Sequence, residues 1–206
     1  MQGLKVLFLH PDLGIGGAER AVIDAALALK SVGHEVHFVT SHHDKSHCFQ
    51  ETRDGTLTVT TVGDWLPRGI LGRCQALCAY IRMIYAALYV VFFPPMNYNL
   101  IFCDQISACI YFLKLFNVKV LFYCHFPDML LTKRESLLKK WYRVPIDWVE
   151  EKTTGMADLV LVNSKFTAGI FKETFKSLSH INPGVLYPIP NFKALDLGVE
   201  LDNSIF

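Results

Sequence analysis

The sequence predicts a doubly wound α/β domain of the Rossmann-like type, built on a parallel sheet. Short apolar runs alternate with longer amphipathic stretches along most of the chain. Alternation of this kind requires crossover connections, and these place helices on both faces of a parallel sheet. In addition, the first apolar run leads directly into a glycine-containing loop and then into an amphipathic stretch, which is the pattern of a βα unit.

The elements follow one another in a regular order. Leucine, valine, isoleucine and phenylalanine dominate the short runs, as expected for strands buried on both faces. The predicted strands are residues 4–9, 35–40, 57–62, 99–104, 119–124 and 158–162, and the predicted helices are 18–31, 71–93, 106–116, 134–154 and 165–176. Ser164 is the expected N-cap of the last helix. We therefore expect one domain over residues 1–190 and a short tail over 191–206.

Composition limits the functional classes. The 206 residues are 51% hydrophobic and 13% aromatic, which is sufficient for one well-packed core. With 20 basic and 19 acidic residues the formal net charge is +1, so no overall field would gather nucleic acid. The six cysteines form no C-x-x-C pair and favour a reducing compartment. The start of the chain lacks the apolar core of a secretory signal.

The loop after the first predicted strand reads HPDLGIGGAER and contains Gly14, Gly16 and Gly17. Glycines between a strand and a helix let backbone N–H groups approach a phosphate or a sugar closely. The alternative is a tight turn that needs flexible backbone. The loop differs from the dinucleotide fingerprint, because the third glycine is missing and Glu19 occupies a position where a small residue packs.

In parallel α/β sheets ligands bind beyond the carboxyl ends of the strands. Polar residues stand there at four places: the glycine loop, Asp104-Gln105, His125 to Asp128, and Asn163-Ser164. His125 directly follows the fifth strand, so we expect its imidazole in the same crevice as the glycine loop, as a catalytic group. The alternative is a structural histidine.

A second group of polar residues, His42-His43-Asp44 with His47-Cys48, has the types of metal ligands. Its spacing matches no tetrahedral zinc pattern, and it follows the second strand in a polar loop. We interpret it as a solvated loop and expect no metal site.

Two segments concern membranes. Residues 76–93 are long enough to span a bilayer but contain Arg82, which favours a buried or interfacial helix over a span. The segment TKRESLLKKWYR, residues 132–143, has five cations and one anion along an apolar stripe. It is either a solvated helix face or a surface that rests on anionic head groups. In the second interpretation, the contacting residues are Lys133, Arg134, Lys139, Lys140 and Trp141.

Several motifs together are recognisable. GGAER after the first strand, CHFPD after the fifth, and the run PIDWVEEKTTGMADLVLVNSKFTAGIFKETF resemble the family 4 retaining glycosyltransferases of the GT-B fold. The longer motifs GDWLPRG, CDQISACI, FYCHFPDMLLTKRES and FKETFKSLSH resemble the mannosyltransferases of dolichol-linked oligosaccharide assembly within that family. The resemblance extends over residues 4 to 190.

The resemblance implies an activity and its partners. It implies transfer of mannose from GDP-mannose to a dolichol-diphosphate-linked oligosaccharide, first in α1,3 and then in α1,6 linkage, during N-glycan precursor assembly. The implied location is the cytosolic face of the endoplasmic reticulum membrane, and no metal or cofactor is implied. Gly14, Gly16, Gly17 and Glu19 would face the donor diphosphate or the acceptor, and His125 would contact the transferred mannose. Other glycosyltransferases of the pathway are further candidate partners, whereas nucleic acid is not.

The resemblance stops before the end of the chain. Family members continue into a second Rossmann domain with a basic pair and an E-x7-E element for the nucleotide sugar, and nothing after Pro190 resembles it. We therefore expect that the donor-binding domain is absent and that these residues alone are inactive. Two other functions stay open. One is a non-catalytic fragment that binds membrane or a partner glycosyltransferase, and the other is a small-molecule dehydrogenase or other nucleotide enzyme that uses the glycine loop.

Overall fold

A computed structural model describes residues 3–70, 74–131 and 137–189. Its centre is a parallel sheet with the strand order β3-β2-β1-β4-β5-β6-β7. The strands are β1 Lys5–His10, β2 Glu35–Thr40, β3 Thr58–Thr61, β4 Leu100–Asp104, β5 Val120–Cys124, β6 Leu159–Val162 and β7 Gly184–Val185. The sequence predicts the first six to within one residue at either end, and this confirms the fold class. Only β7, which pairs with β6, has no counterpart among the predictions.

The helices lie between the strands as predicted. They are α1 Gly17–Ser31, α2 Gln75–Phe92, α3 Ala108–Leu115, α4 Asp128–Leu131, α5 Leu137–Thr154 and α6 Lys165–Thr174, with 3₁₀ turns at Gln50–Thr52 and Lys176–Leu178. Ser164 is the N-cap of α6, and its side chain accepts a hydrogen bond from the Thr167 N–H. Only the four-residue helix α4 and the short turns were not predicted.

Helices cover both faces of the sheet, because alternate strand residues point to opposite sides. On one face α1 buries Val22, Ile23 and Ala26 against Val6 and Phe8 of β1. The Phe8 ring stacks on Phe38 of β2 and Phe102 of β4, with ring centroids 4.8 and 4.7 Å apart. The opposite face of the sheet carries α2, α3, α5 and α6 over a larger apolar core.

Helix α2 is long and apolar enough to cross a membrane by length and composition. In this fold, however, it packs on the sheet through Met83, Ala86, Ala87 and Val90, which are buried. Arg82 is also buried, and its Nη2 donates a hydrogen bond to the Ser41 carbonyl at 2.6 Å. Because α2 joins β3 to β4 of one continuous sheet, a span would separate strands that the sheet holds together. The structure therefore favours the buried or interfacial helix.

The basic segment is only partly described. Lys133 and Arg134 lie outside the described residues, and so does the side chain of Lys139. Lys140 and Trp141 lie on α5 and are exposed, Trp141 to 77%. Their exposure is compatible with either interpretation of this segment.

The strand order also fixes where a ligand would bind. The chain runs outward from β1 to β2 and β3, and then returns to place β4 on the other side of β1. The switch point of the sheet is therefore between β1 and β4, where the crossovers leave a crevice. The last residues of these two strands, His10 and Asp104, are neighbours across that crevice.

Candidate active site at the switch point

A buried ion pair joins β1 to β4 at the switch point. Nδ1 of His10 lies 2.8 and 2.9 Å from the two carboxylate oxygens of Asp104. Nε2 of the same ring lies 2.9 Å from the backbone carbonyl of Asp12. Because a carbonyl and a carboxylate only accept hydrogen bonds, both ring nitrogens have to donate, which requires the imidazolium form.

The electrostatics agree with this assignment. Burial alone would lower the pKa of His10, but the carboxylates of Asp104 and Glu19 outweigh it and raise the pKa to about 10. Burial would likewise raise the pKa of Asp104, yet the charge of His10 and the hydrogen bonds from the two histidines hold it below its ordinary value. At neutral pH the site therefore has a fixed imidazolium–carboxylate pair.

His125 attaches to the same carboxylate. Its Nε2 lies 2.9 Å from Oδ2 of Asp104, so this nitrogen donates and Nδ1 faces away from the pair. The Tyr123 ring meets the imidazole edge-on, with centroids 4.6 Å apart, and Asn163 donates a hydrogen bond from Nδ2 to the His125 carbonyl at 3.0 Å. The side chain is 18% exposed, against 1% for His10 and Asp104. Of these three side chains, only the His125 imidazole reaches the crevice.

The glycine loop leaves the start of α1 open. Gly16 is the N-cap and has an extended backbone, so no side chain of its own covers the first turn. A Cβ added at Gly17 would have no described neighbour within 4 Å. None of Gly14, Gly16 and Gly17 has a positive φ, so none of them needs glycine to adopt a left-handed backbone. The positive end of α1 offers a place for an anion, although the Glu19 carboxylate already accepts one of the first-turn N–H groups, its own.

Glu19 is directed into the cluster. Its Oε1 lies 3.8 Å from Nε2 of His10, and the neighbouring imidazolium lowers its pKa. A Cβ at Gly16 would collide with this carboxylate, so the absence of a side chain at Gly16 leaves room for Glu19. The contact of Glu19 with a donor diphosphate, which the resemblance implies, stays a prediction.

The segment after His125 is held from α5. The Glu150 carboxylate is 4% exposed and accepts the N–H groups of Asp128 and Met129, at 2.6 and 2.9 Å. Burial, with the nearby charge of Asp128, raises the pKa of Glu150 to about 7. Arg143, also buried, donates to the Asp128 carboxylate at 2.9 Å. These contacts fix the backbone three and four residues beyond the candidate catalytic histidine.

The structure thus brings His125, Gly14, Gly16, Gly17 and Glu19 to one edge of the sheet. Sequence reasoning named Asp104 only as a strand end and missed the pairing role of His10. A polar residue closing each of two strands that flank a switch point is the signal that could have identified them.

The histidine-rich loop has other contacts. Nδ1 of His42 lies 2.7 Å from the Asp64 carboxylate, and Nε2 of His43 lies 3.1 Å from the Thr52 hydroxyl. Within residues 3–70, 74–131 and 137–189, no three His, Cys, Asp or Glu side chains are grouped to hold a metal ion.

The open helix terminus and the histidine–carboxylate cluster together form a ligand site at the switch point of a parallel α/β domain. The model of Glycosyltransferase Family 4 matches residues 15–192, and the chain belongs to this family. It is 60% identical over 207 residues to the alpha-1,3/1,6-mannosyltransferase ALG2 of Homo sapiens, and 55% identical over 200 residues to that of Rhizomucor pusillus. These alignments cover 98% and 97% of this chain but 49% and 44% of the relatives. The chain therefore spans about half the length of the curated relatives it matches.

Solved structures agree with the fold. A sucrose-phosphate synthase from Thermosynechococcus elongatus superposes with a TM-score of 0.62 at 16% identity, over 89% of this chain and 47% of that one. The catalytic domain of starch synthase IV from Arabidopsis thaliana gives a TM-score of 0.60 at 14% identity, over 90% and 52%. The chain thus has the fold of the N-terminal domain of GT-B glycosyltransferases.

Proposed function

We propose that this chain is the acceptor-side domain of a mannosyltransferase that transfers mannose from GDP-mannose to a dolichol-diphosphate-linked oligosaccharide. The transfer forms an α1,3 and then an α1,6 linkage in N-glycan precursor assembly, together with a second, donor-binding domain. The observation that carries the proposal is the His10–Asp104–His125 cluster beside the open N-terminus of α1. The likeness to the mannosyltransferases named above supports the choice of sugar and acceptor.

Each part of the cluster has a role in this reaction. Negative charge grows on the leaving diphosphate during transfer, and backbone N–H groups at a helix N-terminus stabilise such charge. Gly17 keeps this terminus accessible. Asp104 orients the His125 ring by accepting its Nε2–H, so that the Nδ1 edge is available to the hydroxyl groups of the transferred mannose. No step of this scheme uses a metal or a cofactor.

His10 stabilises the cluster from its buried side. Its imidazolium compensates the buried Asp104 charge, so the carboxylate stays ionised and keeps accepting a hydrogen bond from His125. It also holds the Asp12 carbonyl, and thereby the start of the glycine loop. The pair therefore couples the orientation of the catalytic ring to the position of the loop.

A membrane surface is the proposed location, on the cytosolic face of the endoplasmic reticulum. The outer sides of neighbouring helices α2, α3 and α5 expose large apolar side chains, which is unusual for a freely soluble surface. They include Phe92, Leu115, Leu137, Trp141 and Trp148. Such a face suits an enzyme whose acceptor stays in the bilayer. Other glycosyltransferases of the pathway are candidate neighbours on the same surface.

Mannose transfer provides the test. The enzyme that contains this domain together with its donor-binding domain should incorporate labelled mannose from GDP-mannose into a dolichol-diphosphate-linked mannosyl-chitobiose. The 206-residue chain alone should incorporate none. Absence of transfer by the two-domain enzyme, with both domains folded, would contradict the proposal. Incorporation by the chain alone would contradict the need for a second domain.

A further inference from the structure

A cavity of about 320 Å³ lies beside the candidate active site, on the β2 side of the glycine loop. Its walls come from the end of β1, the end of β2, the segment 63–70 and the start of α2. They are formed by Pro11, Asp12, Ser41, Arg68, Gln75, Ala79 and Arg82. Asp12 belongs to both places, because its carbonyl accepts the Nε2–H of His10. A ligand in the cavity would therefore be next to the reacting groups.

The buried cation in the cavity wall is incompletely paired. Arg82 donates to the Ser41 carbonyl at 2.6 Å, but its nearest carboxylate, Asp64, is 3.7 Å away. Asp64 is half exposed and lies closer to His42, at 2.7 Å. Nε of Arg82 has no hydrogen-bond partner in the described part of the chain. A buried guanidinium in this state is stabilised by an anion that enters the cavity beside it.

Further positive charge faces the same space. Arg68 lies in the cavity wall, and its Nη2 is 3.2 Å from the exposed carboxylate of Asp12. After burial, the charge of Arg68 is the largest influence that lowers the pKa of Arg82. The first helical residue of α2, Gln75, also lines the cavity, and the side chain of the N-cap residue Cys74 makes no capping hydrogen bond. The positive end of α2 thus adds to two arginines, which favours a ligand with several anionic oxygens.

The two elements that supply these cations also expose apolar side chains. Trp65 and Ile70 are exposed in the segment that contains Arg68, and Ile81 and Tyr85 are exposed on α2 beside Arg82. The Trp65 and Tyr85 rings are in edge contact, with centroids 5.8 Å apart. An anionic group in the cavity would therefore have an apolar surface next to it.

We propose that this cavity binds the diphosphate of an isoprenoid diphosphate, and that the isoprenoid chain lies on the apolar side chains of segment 63–70 and α2. The proposal rests on the proposed function and deepens it, since it assigns the diphosphate of the lipid-linked acceptor to a site separate from the open end of α1. Arg82 and Arg68 bind the phosphoryl oxygens, and Arg68 then no longer pairs with the Asp12 carboxylate.

Binding to the 206-residue chain tests the proposal without any need for catalysis. Farnesyl diphosphate and inorganic pyrophosphate are titrated into the chain at low salt, and Kd is measured by calorimetry. We expect farnesyl diphosphate to bind at least about tenfold more tightly than pyrophosphate, because only it has the apolar chain. Arg68→Gln should raise the Kd for farnesyl diphosphate by about tenfold or more. Arg68 is largely exposed, so this variant keeps the core intact.

Matched variants separate specific binding from general charge. Arg53→Gln removes the same charge at an exposed position in another loop and should leave both Kd values unchanged. Trp65→Ser should weaken the binding of farnesyl diphosphate but not that of pyrophosphate. Equal Kd values for the two ligands, or no effect of Arg68→Gln, would overturn the proposal. These binding results are independent of mannose transfer. If the two-domain enzyme transfers mannose but Arg68→Gln binds farnesyl diphosphate normally, the proposed function stands and the diphosphate site is wrong. If the enzyme transfers no mannose but Arg68→Gln weakens binding, the site stands and the proposed function is wrong.

Discussion

Replacing Glu150 by glutamine tests how α5 holds the backbone beyond His125. The carboxylate accepts two N–H groups of α4, but it does so while buried and beside the charge of Asp128. Other charged or titratable groups nearby are Arg143 and Asp147 on α5 itself, Tyr80 on α2 and Cys124 at the end of β5. Glutamine keeps the shape and one acceptor oxygen but removes the charge.

The pH dependence follows from the direction of the pKa change. In the folded chain the pKa of Glu150 is about 7, above its ordinary value of 4.5. Between these values the folded state binds more protons than the unfolded state, so rising pH lowers the free energy of unfolding. One pKa unit corresponds to about 1.36 kcal/mol, so the full difference is about 3 kcal/mol. This destabilisation by the buried Glu150 charge is absent below pH 4.5 and complete above about pH 7.

The assay is urea unfolding of both chains at pH 5 and pH 8. We expect Glu150→Gln to gain about 2–3 kcal/mol of stability relative to wild type between the two pH values, because only the wild type has to bury a charge at pH 8. Titration of His10 and other groups occurs in both chains and cancels in the difference. Glu173→Gln, at an exposed position on α6, is the matched control. A pH-independent difference for Glu150→Gln, or one of the opposite sign, would refute the reasoning.

Three further predictions concern the cluster and the membrane. Asp104→Asn should lower the free energy of unfolding by about 3–5 kcal/mol near neutral pH, since it leaves His10 buried without its anion. The raised pKa of His10 stabilises the wild type fully below pH 6.5, and this stabilisation is lost as pH rises through about 10. Urea unfolding should therefore show that the difference in stability between wild type and Asp104→Asn becomes smaller from pH 6.5 to pH 10. In the two-domain enzyme, His125→Ala should lower kcat by about 10², whereas the exposed control His180→Ala should not; an unchanged kcat for His125→Ala would make His125 structural. Sedimentation with anionic vesicles should show weaker binding, by up to about 4 kcal/mol, after four cations are replaced by glutamine; equal, salt-insensitive binding would exclude the interfacial role. The four are Lys133, Arg134, Lys139 and Lys140.

The cluster explains why a strand-end histidine can serve this reaction. A single exposed imidazole has many orientations, and its protonation varies with its surroundings. Here Asp104 fixes the ring by one nitrogen, and Asn163 fixes the backbone carbonyl of the same residue. Both contacts come from the ends of the two strands that flank β5, so the sheet restricts the position and orientation of His125.

Periodicity and motif spacing in the sequence were sufficient for the class of fold and the order of its elements. Buried parallel strands have apolar runs that end at polar residues, and this signal is local to each strand. The same signal placed His125 and the glycine loop at one edge of the sheet, since all parallel strands end there. The motifs GGAER and CHFPD were specific enough for the family, which the match over residues 15–192 confirms.

Tertiary structure decided which of these residues contact one another. His10 and Asp104 are 94 positions apart, and their pairing depends on β4 returning to the side of β1, which no local pattern encodes. Likewise, the sequence shows Arg82 only as a charge within an apolar run. Its contact with the Ser41 carbonyl and its place in the cavity beside Asp12 depend on how α2 packs on the sheet. The elements and the edge of the sheet at which chemistry occurs follow from local periodicity, so they could be predicted without the fold. The partners, protonation states and cavity required the fold, because they depend on distances between residues remote in the chain.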